Sequence, residues 1–358
     1  MKIGILTFHC ANNFGAVLQC FALQKFLKEE NYDVSVIDYR PSYLVETSKL
    51  FPSIKEYINN PIISLKRTIK TILHLQARII SIKKFNLFRK NNFSLYKFKK
   101  DEDLNEFNTI IIGSDQIWNK EITNGFDYYF WGDFKPQETK LITYAASIGK
   151  CIFNENDKLN IAQKLQNFKA ISVREIDLQK QLQLIYKENI RLVLDPTLLL
   201  KRESYSAFIQ KPKLNKKYLL IYEVAHNRNT ERIAHSLATQ LGLSIVRIGS
   251  YSKDKSIYSR CDIGPDDFIN YIYFSSCIVT TSFHGTVFSI ILNKPFYTIK
   301  IGNKIDERSN SLLSSLNLTD RHIDNKSNPI YKEINYDKIN LRLEKMRLES
   351  INYLKQSI

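Results

Sequence analysis

The segment Ser282-Phe283-His284-Gly285-Thr286 carries residue types that can bind an anion and move a proton. It follows an apolar run at 277–281 and leads into an apolar stretch that we expect to be helical. His284 can pair with a phosphate when protonated, or serve as a general acid. Ser282, Gly285 and Thr286 would offer donors from the first turn of that helix, where backbone N–H groups point outward. A histidine buried only by packing is the alternative.

Two further loops have suitable chemistry. In the loop at 113–119, Ser114 and Asp115 follow an apolar run, and Asp115 could accept hydrogen bonds from sugar hydroxyls or act as a base. Trp118, in the same loop, would either stack on a sugar ring or fill the interdomain core.

The loop at 7–15 offers donors and acceptors from side chains ahead of a predicted helix, and Gly15 lets its backbone turn closely into that helix. A polar turn with an asparagine capping the helix is the alternative for this loop. Its candidate acceptor-binding residues are His9, Asn12 and Asn13.

Arginines near predicted strand ends could hold an anionic substrate. Arg174 has the planar fork that recognises a carboxylate or phosphate, although a local ion pair with Glu175 or Asp177 is the alternative. Arg308 is a further candidate for the donor site. Arg321 and His226 are weaker candidates.

Short apolar runs alternate with helical stretches along most of the chain, a pattern typical of α/β proteins with parallel sheets covered on both faces. The basic, apolar-poor segment 211–217 divides the pattern in two. We therefore predict a Rossmann-like βαβ domain over 1–210, a second over 217–330 and a C-terminal helix within 331–358. Ligand should bind in the cleft that the two domains face.

The net charge of +16 is concentrated in one segment, since 49–100 holds thirteen basic residues against Glu56 and so carries +12. Apolar residues recur there at helical spacing, which predicts a basic amphipathic helix over about 62–90. Such a helix could pack on its own domain, lie on an anionic membrane surface, or contact nucleic acid. Nucleic acid is not expected, because no nucleic-acid fold motif accompanies the charge.

Several classes of protein are disfavoured. The 358 residues hold no apolar run long enough to span a bilayer, and the N-terminus lacks the pattern of a secretory signal, so we expect a cytoplasmic protein. Five scattered cysteines do not suggest a disulfide framework. We found no metal-ligand cluster and no dinucleotide or Walker A motif, and we expect neither a metal nor a cofactor.

Six segments share motifs with one known family: 7–19, 113–119, 144–147, 172–175, 195–199 and 282–289. Together they resemble the polysaccharide pyruvyl transferase family. The resemblance implies a two-domain fold like that of GT-B glycosyltransferases. It also implies transfer of a pyruvyl group from phosphoenolpyruvate to a sugar, forming a ketal on a cell-surface polysaccharide or its lipid-linked precursor. His284 matches the family's histidine at the donor site, but Ser282 stands where relatives carry an arginine.

On this resemblance, His284 would bind the donor phosphate or act as the acid, and Arg174 would clamp the anion. Asp115 and Asn12 would orient the acceptor. Two other functions remain open from the residues: a GT-B glycosyltransferase that uses a nucleotide sugar, and a non-catalytic module that binds a membrane or partner through 62–90. A lipid-linked acceptor would place the enzyme at the inner membrane surface.

Overall fold

The computed structural model describes residues 1–134, 136–149, 153–210, 212, 214, 216–225, 227–302 and 306–358. Its predicted strands form parallel sheets, as their short, near-continuous apolar runs indicate. His226 and three positions of the predicted 211–217 linker lie outside the described residues.

The first sheet is five-stranded and parallel, with the order β3-β2-β1-β4-β5. Its central strands are buried, so it needs helices on both faces. The strands are β1 (Lys2–Leu6), β2 (Asp33–Ile37), β3 (Leu95–Tyr96), β4 (Thr109–Ile112) and β5 (Lys140–Thr143). The helices are α1 (Phe14–Glu29), α2 (Ser42–Ser48), α3 (Ile54–Asn59), α4 (Pro61–Leu73), α5 (Leu75–Asn92), α6 (Lys120–Thr123) and α7 (Glu155–Leu165).

A parallel pair of strands extends this half of the molecule. β6 (Ile171–Val173) and β7 (Ile190–Leu192) are joined through α8 (Ile176–Gln183). Isolated bridges from Ile142 to Ala170 and from Ala146 to Val173 attach the pair to the edge at β5. The ends of β6 and β7 therefore lie beside the ends of the first sheet.

The second sheet has six parallel strands in the order β10-β9-β8-β11-β12-β13. They are β8 (Tyr218–Tyr222), β9 (Ser244–Ile248), β10 (Ile257–Arg260), β11 (Cys277–Thr280), β12 (Phe296–Ile299) and β13 (His322–Ile323). The helices are α9 (Thr230–Leu241), α10 (Pro265–Phe274), α11 (Phe283–Ile291) and α12 (Glu307–Ser315).

Helix α1 lies between the two halves and is buried along almost its whole length. At its start, the Phe14 ring stacks on Phe268 of α10 at 4.9 Å and on Phe85 of α5 at 5.2 Å between ring centroids. One continuous apolar core thus includes residues of both sheets and of the basic segment.

The last helix, α13 (Tyr336–Ser357), follows the second sheet but packs on the first half. The Ser350 hydroxyl accepts a 3.0 Å hydrogen bond from the Leu194 N–H, and the Tyr353 hydroxyl donates to the Thr143 carbonyl at 3.0 Å. Arg347 donates to the Leu198 carbonyl at 2.8 Å. The predicted C-terminal helix therefore ties the end of the chain to the first half.

The prediction of one amphipathic helix over 62–90 is wrong, because the chain breaks at His74 into α4 and α5. The His74 ring stacks on Tyr251 of the second half with ring centroids 3.8 Å apart. Helix α5 buries Phe85 and Phe88, as the packing alternative requires. Helix α4 instead exposes its large apolar side chains: Ile62, Ile63, Leu65, Ile69, Ile72 and Leu73 are all more than half exposed.

Candidate functional site

Arg174 is the centre of a buried cluster of charges at the carboxyl ends of several strands. It follows β6, and its guanidinium lies 2.5 Å from Asp195 Oδ2, 3.4 Å from Glu175 Oε1 and 3.6 Å from Asp115 Oδ1. Burial alone would lower the pKa of Arg174, but these carboxylates, Asp195 foremost, raise it above its ordinary value. The guanidinium is therefore a permanent cation.

Asp195, which follows β7, is held as an anion. Its Oδ1 accepts hydrogen bonds from the N–H and the hydroxyl of Thr197, at 3.0 and 2.7 Å. Burial by itself would raise the pKa of Asp195, but His284 and Arg174 outweigh it and hold that pKa well below the ordinary range. The Ser114 hydroxyl lies between this pair, 3.2 Å from Arg174 Nη1 and 3.4 Å from Asp195 Oδ2.

His284 reaches the same carboxylate from α11, in the second half. Its Nε2 lies 3.6 Å from Asp195 Oδ2, too far for a hydrogen bond, and this buried atom has no hydrogen-bond partner among the described residues. Gly15 packs against the other side of the ring, where an added Cβ would come 1.9 Å from Nδ1. The ring is thus fixed in position, with Nε2 available to a ligand.

Two arginines flank the neighbouring Phe283 ring. The guanidinium carbons of Arg174 and Arg308 lie 5.0 and 5.6 Å from its centroid. Burial and the charge of Arg174 lower the pKa of Arg308. With its amide oxygen turned toward Arg308, Gln116 accepts hydrogen bonds of 3.0 and 3.2 Å from it. A cavity of about 90 Å³ reaches both arginines.

A second carboxylate, Glu175, is fully enclosed beside Arg174. Burial raises the pKa of Glu175, and the charge of Arg174 opposes that rise. Its Oε1 accepts a 2.5 Å hydrogen bond from the Ser147 hydroxyl, whereas Oε2 has no partner within the described residues. Arg174 Nη2 is likewise buried without a hydrogen bond.

The first turn of α11 is organised by Ser282, whose hydroxyl accepts a 3.3 Å hydrogen bond from the Gly285 N–H. The Thr286 N–H donates to the Ser282 carbonyl, and the Thr286 hydroxyl meets Thr298 at 2.6 Å in the core. The backbone donors predicted at Gly285 and Thr286 are therefore used within the protein. Phe283 and His284 stand at the first two helical positions, whose N–H groups have no carbonyl one turn earlier in the helix.

The predicted site residues of the loop at 7–15 make separate contacts and do not form one site. His9 is buried, and its Nε2 lies 2.8 Å from Asp38 Oδ1 rather than near His284's carboxylate partner. Asn13 caps α1 by accepting from the Ala16 N–H at 3.1 Å, as the capping alternative anticipates. Asn12 accepts a 2.8 Å hydrogen bond from Arg89 and borders a separate cavity.

Trp118 does not face the charged cluster. It is fully buried, stacks on Trp131 with ring centroids 4.6 Å apart, and donates its indole N–H to the Phe130 carbonyl at 3.0 Å. This packing favours the core alternative. Arg321 also has a structural arrangement, donating to the carbonyls of Lys332 and Glu333.

The structure thus brings His284, Arg174, Arg308, Ser114 and Asp115 into one cluster. Within it, Arg174 and His284 share a partner that is not among the predicted site residues. That partner is Asp195. The sequence does point to Asp195, because this residue begins one of the six family-like segments and follows an apolar run. Within the described residues, no group of three or more His, Cys, Asp or Glu side chains could hold a metal ion. None of the described helices has the length and apolar character that a bilayer crossing needs.

The sequence of residues 13–303 matches the family model for polysaccharide pyruvyl transferases. The chain belongs to this family. The description of the family assigns the chain to transferases of polysaccharide biosynthesis. The matched range includes every residue of the charged cluster except Arg308. No curated protein matches the chain in sequence.

The chain is similar to several solved structures. A protein assigned as a UDP-N-acetylglucosamine 2-epimerase from Listeria monocytogenes aligns over 100% of this chain and 91% of its own, with 10% identity and a TM-score of 0.50. The corresponding epimerase from Methanocaldococcus jannaschii aligns over 97% and 93%, with 11% identity and a TM-score of 0.46. UGT89C1 from Arabidopsis thaliana aligns over 99% and 93%, with 11% identity and a TM-score of 0.43. The parallel sheets and the similarity to the Listeria protein confirm the predicted GT-B-like α/β fold.

Proposed function

We propose that this pyruvyl transferase family member moves a pyruvyl group from phosphoenolpyruvate to a sugar of a cell-surface polysaccharide or its lipid-linked precursor. The observation that carries the proposal is a pair of buried donors, Arg174 Nη2 and His284 Nε2, that lack hydrogen-bond partners while their side chains share Asp195. Buried polar groups are nearly always satisfied, so two unpaired nitrogen atoms in one charged cluster support an anion-binding role for it.

Phosphoenolpyruvate has the chemistry that such a cluster would recognise. It carries a carboxylate and a phosphate on one three-carbon unit, and planar guanidinium groups bind both kinds of anion through paired hydrogen bonds. Arg174 and Arg308 flank Phe283, next to His284, so three cationic or protonatable groups converge on one small region. Asp195 would keep Arg174 oriented toward the donor.

Ketal formation needs a proton on the donor's methylene carbon and loss of protons from two sugar hydroxyls. One hydroxyl oxygen bonds to C2 as the methylene becomes a methyl group, the C2–O bond to phosphate breaks, and the second hydroxyl closes the ring. The proton count balances, because the methyl group gains one proton and the departing phosphate takes up the other. We assign the acid, or the phosphate contact, to His284 and the base beside the first hydroxyl to Asp115. No resident cofactor or metal takes part in this scheme.

Arg308 would supply the charge that relatives draw from an arginine two residues before the histidine. Ser282 occupies that position here and uses its hydroxyl to cap α11. Arg308 reaches the same region from α12, packed over the ring of the residue that follows Ser282. The donor site would therefore keep its charge through a different element.

The exposed apolar side of α4 supports a peripheral contact with the anionic inner membrane surface. Ile62 and Leu73, near its two ends, are 68% and 71% exposed, and Lys66 and Lys70 project from the same helix. Apolar side chains beside basic ones suit the boundary between headgroups and acyl chains. A cytoplasmic enzyme held there would meet a lipid-linked acceptor where it resides.

Calorimetric titration with phosphoenolpyruvate tests the donor assignment. Wild-type protein should bind it, and His284→Asn should weaken binding by at least about tenfold, because a charge-assisted hydrogen bond is lost. His235→Asn is the matched control, since His235 pairs with Asp254 at the surface. Tight binding of UDP-N-acetylglucosamine without binding of phosphoenolpyruvate would move the protein to the nucleotide-sugar glycosyltransferases.

A further inference from the structure

A cavity of about 410 Å³ separates the α4–α5 hairpin from the second half of the molecule. We propose that it binds the diphosphate group of a lipid-linked acceptor, which rests on the pyruvyl transfer proposed above. Its volume lies within the usual range for small-molecule sites. Four basic or protonatable side chains line it, and none of its described lining residues is acidic. They are Arg67, Lys70, His74 and Arg78.

Two of these cations have no carboxylate to neutralise them. Arg67 pairs with Glu56 at 2.7 Å and donates to the carbonyls of Glu46 and Lys49, so it also holds α2 and α3 in place. Among the described residues, neither Lys70 nor Arg78 has a carboxylate within ion-pair distance. Within the described part of the chain, the Arg78 guanidinium donates a hydrogen bond only to the Thr71 hydroxyl, and burial together with the charge of Arg67 lowers the pKa of Arg78.

The repulsion between Arg67 and the partly buried Arg78 costs free energy that a bound anion would offset, because like charges repel most strongly where water is partly excluded. Two unneutralised cations on one wall suit a group with two or more negative charges. A diphosphate ester has that charge and many acceptor oxygens, and guanidinium groups bind phosphate oxygens in pairs. An inorganic cation or a neutral sugar alone would leave the repulsion in place.

The other wall of the cavity comes from the second half. Gly249 and Ser250 follow β9 there, and Tyr251 stacks on His74 across the gap. The cavity is therefore closed by both halves, as is the charged cluster around Arg174. A ligand bound in it would be fixed with respect to both.

The position of the cavity suits an acceptor with a lipid at one end and a sugar at the other. Lys70 lies on α4, whose apolar side chains are exposed, so a prenyl chain leaving the cavity would pass along them. Asn12 lines the cavity, and Gly15 touches His284. Gly15 is the third residue after Asn12, which limits their Cα atoms to about 11 Å apart. A sugar attached to the diphosphate would thus extend toward His284.

Binding of farnesyl diphosphate, a short prenyl diphosphate, tests this assignment without knowledge of the sugar. Lys70→Gln and Arg78→Gln should each weaken its binding by at least about tenfold, because each removes a charged hydrogen-bond donor. Lys90→Gln removes the same charge from an exposed position of α5 outside the cavity and should leave the affinity within about twofold. Lys70 is exposed, so its replacement should not impair folding even if that of Arg78 does.

Parallel titrations separate the sources of the phosphate. UDP binding as tight as farnesyl diphosphate binding, and equally sensitive to Lys70→Gln, would assign the cavity to a nucleotide and overturn the proposal. If the Lys70→Gln and Arg78→Gln variants lose binding to phosphatidylglycerol vesicles but keep their affinity for farnesyl diphosphate, these cations bind phospholipid headgroups. That result would also overturn the proposal. Phosphoenolpyruvate affinity should be unchanged in both variants. If phosphoenolpyruvate does not bind the wild type while farnesyl diphosphate behaves as expected, the donor assignment fails and the diphosphate site stands.

Discussion

At the scale of single residues, the main feature is the Arg174–Asp195 ion pair, in which both side chains are almost fully enclosed. Removing two charges from water costs more than most such pairs recover, so burial of this kind is a poor way to stabilise a protein. Its cost is understandable if the pair exists to hold a cation and His284 in position for an anionic substrate.

Asp195→Asn should lower the free energy of unfolding at pH 7 by about 3–5 kcal/mol, because Arg174 then loses its closest charged partner. The pKa of Asp195 is lowered in the folded state, so its contribution is fully present above the unfolded value of about 4. It declines below that value and is lost as the pH falls through the lower pKa of the folded state. The difference between variant and wild type should therefore shrink in acid. Urea unfolding at pH 7 and at pH 3 measures it.

Asp324→Asn is the control, since Asp324 is 74% exposed beside Lys300 and should change the stability by less than about 0.5 kcal/mol. A difference for Asp195→Asn that stays constant between pH 7 and pH 3 would contradict the assignment of Asp195 as a strongly stabilised anion.

Sequence alone could indicate several site residues, because parallel strands bring polar residues at their carboxyl ends to one edge. Arg174, His284 and Asp115 were selected on that basis and do meet. Asp195 and Glu175 were not selected as site residues, since which carboxylate pairs with Arg174 depends on how β6 and β7 join the sheet. Trp118 stayed ambiguous because an indole suits a core and a sugar ring equally well.

At the scale of elements, the start of α1 is fitted closely against α11 through Gly15. Gly15→Ala should weaken phosphoenolpyruvate binding by at least about tenfold, because a Cβ 1.9 Å from His284 Nδ1 must displace the ring. Calorimetry measures the affinity, and thermal unfolding measures the accompanying loss of stability.

Gly4→Ala is the matched control for a crowded methyl group. Its Cβ would come 2.8 Å from Ile37 Cδ1, inside the first half and away from His284. This variant should lose stability while its affinity for phosphoenolpyruvate stays within about twofold of wild type. Equal loss of affinity in both glycine variants would mean that Gly15 acts through general packing only.

Helix α4 allows a test of the membrane contact. The double variant Ile62→Ser/Ile69→Ser should reduce co-sedimentation with phosphatidylglycerol vesicles by at least about tenfold, because two isoleucine side chains no longer enter the apolar layer. Leu341→Ser/Leu348→Ser removes two comparably exposed side chains from α13 and should have no effect. If neither double variant alters vesicle binding, α4 is excluded as the membrane contact.

The elements themselves were largely predictable from apolar periodicity, which gave most strands and the helices that follow them. The break at His74 was not, because no glycine or proline marks it and its ring stacks on a tyrosine more than 170 positions away. β10, on the edge of the second sheet, gives little apolar signal because only its first residue is buried.

At the scale of the whole molecule, the two halves are joined by more than their linker. The Phe85–Phe14–Phe268 stack connects α5, α1 and α10, and α13 returns from the second sheet to the first. Family membership and parallel topology could be anticipated from sequence, since both depend on local segments. The closure of the 410 Å³ cavity could not, because it requires α4 and the end of β9 to meet.

The most direct test of the central claim is the pyruvate content of the cell-surface glycan in the organism that makes this protein. Mild acid should release ketal-linked pyruvate from cells that express the wild type or His235→Asn. Cells that express only His284→Asn should yield at least about 100-fold less, the scale expected for loss of an acid or a key charge. Equal pyruvate release from cells lacking the protein altogether would contradict pyruvyl transfer as its function.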